Sequence, residues 1–213
     1  MLLEELRQRV LKVALDTDRL NLCKGTSGNI SARDPESNLV CVTPSTVPYD
    51  QLGPDGIAVV DVNGQMVEGK YKPSSETPMH TAIYRARADV HGVVHTHSVF
   101  ATTFAIMNRP LPAVVITMVM MAPVPVVPFQ MPGSKELADA VAAAMSDGRP
   151  AVLLQNHGAI VGANAVEVAL GMAVYLEEGA QMALLALQGG ALNPLPEDAV
   201  ARMRAAFMRG KAL

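Results

Sequence analysis

The chain alternates short β-branched apolar runs with longer segments whose apolar residues recur at helical spacing. Residues 39–43 and 57–61 are runs of the first kind, bounded by Pro, Gly and Asn, which is typical of β-strands. Residues 2–18 instead place Leu3, Leu6 and Val10 along one face of a helix. A fold that mixes helices and strands is therefore predicted.

The sequence also predicts how some elements begin and connect. Asn63-Gly64 indicates an antiparallel hairpin, because a type I′ turn needs positive φ at both central positions. Asn164 followed by Glu167 has the pattern of a capping box that opens a long helix to about residue 188. Further helices are predicted at 76–88, 99–107 and 134–145 and after Pro196, and further strands at 93–97, 151–154 and 159–161.

Charge and composition exclude several classes of function. The formal net charge is −3 and no Lys/Arg cluster is present, so neither nucleic acid nor an anionic membrane is expected as a partner. The most apolar stretch, residues 111–129, is interrupted by prolines and predicts no membrane helix. The acidic start of the chain and two cysteines without a CxxC motif favour a cytoplasmic protein. Residues 1–213, with 50% hydrophobic content and no linker, are expected to form one domain.

Two histidines at the end of an apolar run give the strongest indication of a site. Side chains at i and i+2 leave the same face of a strand, so His95 and His97 can bind one cation. Alone, this pattern fits two separately hydrogen-bonded histidines equally well.

His157, in the Gly-flanked turn QNHGA, supplies a third imidazole. Taken by itself, a turn histidine is more simply explained by a hydrogen bond to the backbone. Together, however, three neutral imidazoles leave a tetrahedral ion one open position, as a catalytic zinc site requires. The set of three therefore predicts a metal site.

Glu76 lies in the first turn of a predicted helix, directly after Ser74-Ser75. The helix dipole stabilises a carboxylate there, and such a residue is most often only a cap. His80 follows four residues later on the same helical face. The simplest interpretation is an ordinary helix histidine, and the alternatives are a partner of the site residues or a metal ligand.

Three loops rich in small and hydroxyl residues can bind an anion. They are residues 25–31, residues 43–46 and the Ser74-Ser75 pair. Glycines allow backbone N–H groups to approach a phosphate closely. Each loop alone is more often an ordinary turn, but their occurrence together suggests a phosphate pocket.

Five motifs resemble, in the same order, those of the class II aldolase and adducin head family. They are TSGNIS at 26–31, VTPS at 42–45, PSSE at 73–76, VVHTH at 93–97 and LLQNHG at 153–158. The resemblance implies an α/β fold of three layers, α/β/α, around a central, largely antiparallel sheet. It also implies a bound zinc ion, with Mn²⁺ or Co²⁺ as alternatives, and a homotetramer whose active sites lie between subunits.

The resemblance further implies a role for each matching residue. His95, His97 and His157 would bind the metal, and Glu76 would be both the acid/base and a ligand of the resting metal. The substrate phosphate would be held by Ser27, Gly28, Asn29, Ser45, Thr46, Ser74 and Ser75. The implied substrate is a phosphorylated sugar, a ketose 1-phosphate of the fuculose-1-phosphate type. Its cleavage would give dihydroxyacetone phosphate and an aldehyde through a metal-stabilised enediolate.

The chain departs from the pattern of the fucose-type members at several positions. Thr46 stands where they carry Gly, and no tyrosine is available near Val115-Ile116 or Phe207, where they have catalytic tyrosines. These departures leave open a 4-epimerase, decarboxylase or dehydratase acting on another phosphorylated sugar. A non-catalytic adducin-like module is disfavoured, because the three histidines and Glu76 are all present.

Overall fold

The computed structural model describes residues 1–209, which form an eight-stranded sheet with helices on both faces. The strands are β1 (Asn29–Arg33), β2 (Val40–Val42), β3 (Ala58–Val60), β4 (Met66–Glu68), β5 (Gly92–Thr96), β6 (Val126–Val127), β7 (Ala151–Leu154) and β8 (Gly158–Ala163). The helices are α1 (Glu4–Arg19), α2 (Thr77–Ala86), α3 (Val99–Ile106), α4 (Lys135–Met145), α5 (Val166–Gln188) and α6 (Glu197–Met208).

The strand order is β4-β3-β2-β1-β5-β8-β7-β6. Every neighbouring pair is antiparallel except β6 with β7, which are parallel. Helices α1, α3 and α5 cover one face of the sheet, and α2 and α4 cover the other. The predicted three-layer α/β/α fold with a largely antiparallel sheet is confirmed.

Alternate residues of each strand contribute to different cores. Ile30 of β1 and Val94 of β5 pack under α1, α3 and α5, whereas Val93 and Val152 pack under α2 and α4. This is the period of two that strand geometry imposes. Because both faces are covered, β1, β5, β7 and β8 are buried at every position. Polar side chains on these strands are therefore held in fixed, dry surroundings.

Helix α5 is long and apolar enough, by length and composition, to cross a membrane. Its buried residues recur every three or four positions, so they form one face that packs on the sheet. They are Val166, Ala169, Ala173, Leu176, Gly179, Ala180 and Ala183. The apolar composition of α5 is thus accounted for by its core face.

One local prediction is confirmed except for its turn type, and another is wrong. The hairpin between β3 and β4 forms, but φ is positive only at Gly64, because the Asp61 carboxylate accepts the N–H groups of Asn63 and Gln65 and reshapes the turn. The capping box at the start of α5 is absent. Ala165 is the N-cap, and the Glu167 carboxylate instead accepts two hydrogen bonds from an arginine of α1, Arg9. A tertiary ion pair has replaced the local cap.

Candidate metal centre

The three histidines and Glu76 meet at one end of the central strands. His95 lies near the end of β5, paired with Asn29 of β1 and with Ile160 of β8. Because β5 and β8 are antiparallel, the residues just after β5 and just before β8 lie side by side, which brings His97 and His157 together. One nitrogen or oxygen from each of the four side chains lies within 4.8 Å of all the others.

Two glycines make this convergence sterically possible. A Cβ atom on Gly158 would overlap the carbonyl oxygen of Thr96 and would lie 3.2 Å from the rings of His95 and His97. Gly28 has a φ of 77°, and a Cβ there would lie 2.7 Å from the His95 carbonyl oxygen. A side chain at either position would displace the strand that carries the histidines.

The hydrogen bond of His95 defines which of its nitrogens can bind a cation. Its Nδ1 lies 2.9 Å from the carbonyl oxygen of Ala159, which only accepts, so Nδ1 carries the proton. With the single proton of a neutral ring on Nδ1, Nε2 presents a lone pair, 3.0 Å from Nε2 of His97 and 3.2 Å from Oε2 of Glu76. A lone pair facing a carboxylate is repulsive unless a positive charge lies between them. Such a backbone bond on the other ring nitrogen is what orients metal-binding histidines.

The Glu76 carboxylate is buried, with 7% of the residue exposed. Its Oε2 accepts a hydrogen bond of 2.9 Å from Nδ2 of Asn29. Its Oε1 lies 3.3 Å from Nε2 of His157 and has no hydrogen-bond partner within residues 1–209. Burial raises the pKa of Glu76, but a positive charge on His95 or His157, together with the hydrogen bond from Asn29, outweighs burial and holds this pKa well below its ordinary value.

The other two imidazoles are in the protonation state that a metal ligand needs. Burial lowers the pKa of His97 and of His157 to about 4, so both rings are neutral near pH 7. Zn–N bonds of about 2.0–2.1 Å at tetrahedral angles place ligand nitrogens about 3.3 Å apart. The 3.0 Å between the Nε2 atoms of His95 and His97 is close to this. The donor set therefore fits a divalent first-row cation.

Two of the three predicted phosphate loops lie together at the start of α2. Pro44 and Pro73 form an isolated β-bridge, so Ser45 Oγ can donate to the Pro73 carbonyl and accept from the N–H of Ser75. The hydroxyl of Ser74 accepts from the N–H of Glu76 rather than from the first turn of the helix, which begins one residue later.

The remaining predicted phosphate residues are divided between surface and interior. Thr46 is exposed, with a φ of 61°, and Ser27 Oγ donates to the Lys24 carbonyl in the turn before β1. Asn29 is buried, and its side chain is directed to Glu76 and to Nε2 of His80, 2.5 Å from its Oδ1, instead of towards the loop.

Sequence reasoning left His80 unresolved and overlooked its neighbours Ser31 and Tyr84. A signal was available. Glu76, His80 and Tyr84 are spaced four residues apart, on one face of a helix, and Asn29 and Ser31 share one face of a strand. Polar residues at these spacings in an otherwise apolar helix and strand indicate a polar contact between the two elements.

The profile of the family described as Class II Aldolase and Adducin N-terminal domain matches residues 8–184. A 5-deoxy-D-ribulose 1-phosphate aldolase from Bacillus thuringiensis serovar kurstaki is 38% identical over 208 residues, which cover 97% of each chain. An L-ribulose-5-phosphate 4-epimerase from Salmonella paratyphi B is 32% identical over 208 residues, covering 92% of this chain and 91% of the relative. A solved structure of an L-fuculose 1-phosphate aldolase superposes with a TM-score of 0.92 at 35% identity, covering 96% of each chain.

Proposed function

The chain belongs to the Class II Aldolase and Adducin N-terminal domain family, and from this we propose that it is a metal-dependent aldehyde-lyase acting on a ketose 1-phosphate. The observation that carries the proposal is the convergence of three imidazoles and a buried carboxylate, with one ligand atom of each within 4.8 Å of the others. Relatives that cleave 5-deoxy-D-ribulose 1-phosphate and L-fuculose 1-phosphate support the choice of substrate class.

His95, His97 and His157 would hold the ion, and Glu76 would complete the resting site. A bound Zn²⁺, Mn²⁺ or Co²⁺ supplies Lewis-acid stabilisation of the negative charge that develops on the substrate oxygens. The Nδ1–H bond from His95 to Ala159 keeps the ligand nitrogen of His95 directed into the site.

Glu76 would transfer the proton at C3 of the substrate. In cleavage, the C4 hydroxyl would give its proton to solvent water and become the aldehyde as the C3–C4 bond breaks, and the electron pair of that bond would pass to the enediolate. Protonation at C3 then gives dihydroxyacetone phosphate. Oε1 is the oxygen available for this transfer, because Oε2 is bonded to Asn29 and Oε1 has no hydrogen-bond partner among the described residues.

The phosphate would be held by hydroxyl and backbone N–H groups of the loops beside this centre. The loops contribute Ser27, Gly28, Ser45, Thr46, Ser74 and Ser75. Asn29 would contribute its backbone N–H, because its side chain is bonded to Glu76 and His80. Neutral donors bind a phosphate without placing further positive charge next to the metal. The proposal includes a homotetramer with active sites between subunits, which the exposed apolar side chains of α3 and α5 support.

A 4-epimerase acting on a ketopentose 5-phosphate is the second candidate. It is favoured by the 32% identity to the Salmonella enzyme over nearly the whole chain. The two reactions share bond cleavage and differ in whether the fragments are released or rejoined. A decarboxylase or dehydratase of another sugar phosphate uses the same centre, whereas a non-catalytic module would have no need of the complete ligand set.

A substrate panel tests the proposal. The Zn²⁺-loaded protein and a chelator-treated sample are incubated with 5-deoxyribulose 1-phosphate, fuculose 1-phosphate and L-ribulose 5-phosphate, and the products are identified by NMR. Dihydroxyacetone phosphate from a ketose 1-phosphate, in the metal-loaded sample alone, is the expected result. An epimer without free dihydroxyacetone phosphate would favour the second candidate. Equal turnover after complete removal of the metal would refute both.

A further inference from the structure

We propose that His80 is a positioning residue that orients Asn29 and, through Asn29, the carboxylate of Glu76. The inference rests on the acid/base role proposed above for Glu76. It follows from a buried hydrogen-bonded chain, here called the His80 network, that connects one face of β1 with one face of α2. Its members are Glu76, Asn29, His80, Ser31 and Tyr84.

The His80 network is continuous and closed to solvent. Nδ2 of Asn29 lies 2.9 Å from Oε2 of Glu76, and Oδ1 of Asn29 lies 2.5 Å from Nε2 of His80. On the other side of the ring, Nδ1 of His80 lies 2.7 Å from Oγ of Ser31, which lies 2.7 Å from the hydroxyl of Tyr84. No member has more than 7% of its surface exposed.

The direction of each hydrogen bond can be deduced from the carboxylate outward. An ionised carboxylate only accepts, so Asn29 must donate through Nδ2 and present Oδ1 to His80. His80 must then donate through Nε2, which leaves Nδ1 of the neutral ring as an acceptor for the Ser31 hydroxyl. Ser31 has one proton and gives it to His80, so it accepts from Tyr84. All four bonds therefore point towards Glu76.

The neutral ring that this arrangement needs is maintained by its surroundings. Burial lowers the pKa of His80 to about 3, and burial raises the pKa of the Tyr84 hydroxyl well above its ordinary value. His80 is therefore neutral and Tyr84 is a hydrogen-bond donor at neutral pH. Neither residue changes its hydrogen-bonding role near pH 7.

The His80 network matters for the site because an amide can face either way. If Asn29 turned over, its oxygen would face the Glu76 carboxylate and repel it. The N–H donated by His80 excludes that orientation, because Asn29 must present its oxygen to the ring. Oε2 of Glu76 is thereby fixed and Oε1 is left facing His157. His80 acts through Asn29, because the side-chain hydrogen bonds of its ring within residues 1–209 are to Asn29 and Ser31 and not to the four metal-site side chains.

Two substitutions of His80 test the hydrogen bonds of its two ring nitrogens separately. His80→Gln places an amide nitrogen near the position of Nε2, so it keeps a donor to Asn29. His80→Asn reaches only the position of Nδ1, so it keeps a partner for Ser31 and loses the donor. We expect kcat to fall about 10- to 100-fold in His80→Asn with KM within about 2-fold, and to recover largely in His80→Gln.

The neighbouring Thr81 provides a matched control. It is equally buried on the same helix, and its hydroxyl donates to the Pro78 carbonyl outside the His80 network. Thr81→Val removes a buried hydroxyl from α2, and kcat should stay within about 2-fold of the wild type. A loss in Thr81→Val as large as in His80→Asn would show that any damage to α2 reduces turnover, and would overturn the inference.

A measurement without turnover tests the same point in the wild-type protein. In ¹⁵N-histidine NMR spectra of the metal-free protein, His80 should be a single neutral tautomer with its proton on Nε2. In His80→Asn, the side-chain amide protons of Asn29 should exchange with solvent faster than in the wild type. A ring protonated on Nδ1, or a mixture of tautomers, would contradict the proposed direction of the bonds.

The double variant distinguishes failure of this inference from failure of the proposed function. If His80 acts through Glu76, adding His80→Asn to Glu76→Gln should reduce kcat no further. An additional loss equal to that seen in the wild-type background would overturn the inference and leave the role of Glu76 intact. Wild-type kcat in Glu76→Gln alone would refute the acid/base role, while the NMR signals would still report on the His80 network.

Discussion

Thr46 adopts a φ of 61°, in the left-handed region that a β-branched side chain tolerates poorly. This conformation costs about 1–2 kcal/mol for a residue with a Cβ. Glycine avoids that cost but loses about 0.5–1 kcal/mol through the greater freedom of the unfolded chain. Thr46→Gly should therefore increase the free energy of unfolding slightly, by up to about 1 kcal/mol. Urea denaturation measures this.

Thr46→Asn is the matched variant, because asparagine tolerates the left-handed region while keeping a polar side chain. It too should be at least as stable as the wild type. If both substitutions instead lower the free energy of unfolding by more than about 1 kcal/mol, contacts of the threonine side chain must offset the backbone strain. Within the described residues 1–209, the hydroxyl donates only to the adjacent Ser45 carbonyl, so we expect no such compensation.

Buried neutral histidines make the metal-free protein sensitive to acid. Burial lowers the pKa of His97 and His157 to about 4 and that of His80 to about 3, below the ordinary value of 6.5. As the pH falls below 6.5, the unfolded chain binds protons that the folded chain does not, so stability is lost progressively towards pH 3–4. Denaturant midpoints of chelator-treated protein between pH 8 and pH 4 should decrease. A constant or rising midpoint over this interval would contradict the interpretation.

At the scale of elements, α3 depends on a carboxylate from another helix. Glu177 of α5 accepts hydrogen bonds from the N–H groups of Phe100 and Ala101, at 2.9 and 2.8 Å, in the first turn of α3. The N-cap residue Ser98 makes no side-chain cap bond of its own. Since α3 follows directly on the histidine pair, this contact secures the segment after β5.

Glu177→Gln should reduce the free energy of unfolding by about 1 kcal/mol, because a neutral amide replaces a charged acceptor at a helix N-terminus. Glu178, the next residue of α5, is exposed and provides the control. Glu178→Gln should leave stability within about 0.5 kcal/mol of the wild type. Equal effects of the two substitutions, measured by urea denaturation, would refute the capping role of Glu177.

Elements whose signals are local could be predicted from the sequence. The strands before His95 and His157 follow from apolar runs bounded by turn residues, and the helix predicted at 134–145 forms as α4, with Ser134 as its N-cap. Glu167 was misassigned because its partner Arg9 lies 158 residues away, beyond any local pattern. The same limit applies to Asn29, whose contact with Glu76 spans 47 residues. Sequence motifs predict the four candidate metal-binding side chains. The orientation of the Asn29 side chain, in contrast, is determined by the packing of β1 against α2.

At the scale of the whole molecule, several large apolar side chains are exposed to solvent on the surface of the single chain. Val99 and Ile106 of α3 are 60% and 56% exposed, and Leu185 of α5 is 56% exposed. Such surface favours association with further copies. Light scattering should give a mass of four times 22.5 kDa, in line with the proposed homotetramer.

Charged substitutions test whether this surface drives association. Leu185→Glu should shift the assembly towards smaller species, whereas Glu178→Gln, on the same helix, should not. A fully active monomer in the wild type would refute the proposal. A tetramer unaffected by Leu185→Glu would place the contacts on another surface.

Because the central strands are buried, the candidate site combines buried strand residues, which tolerate few substitutions, with exposed loop residues, which tolerate many. His95 is fully buried on β5 beside the other side chains of the candidate metal centre, while Thr46 and Ser75 are on exposed loops. A duplicated gene could therefore acquire substitutions in these loops alone while the four buried side chains of the candidate metal centre stay unchanged. Grafting loops between relatives with different substrates should exchange their preferences more readily than it alters the metal they bind.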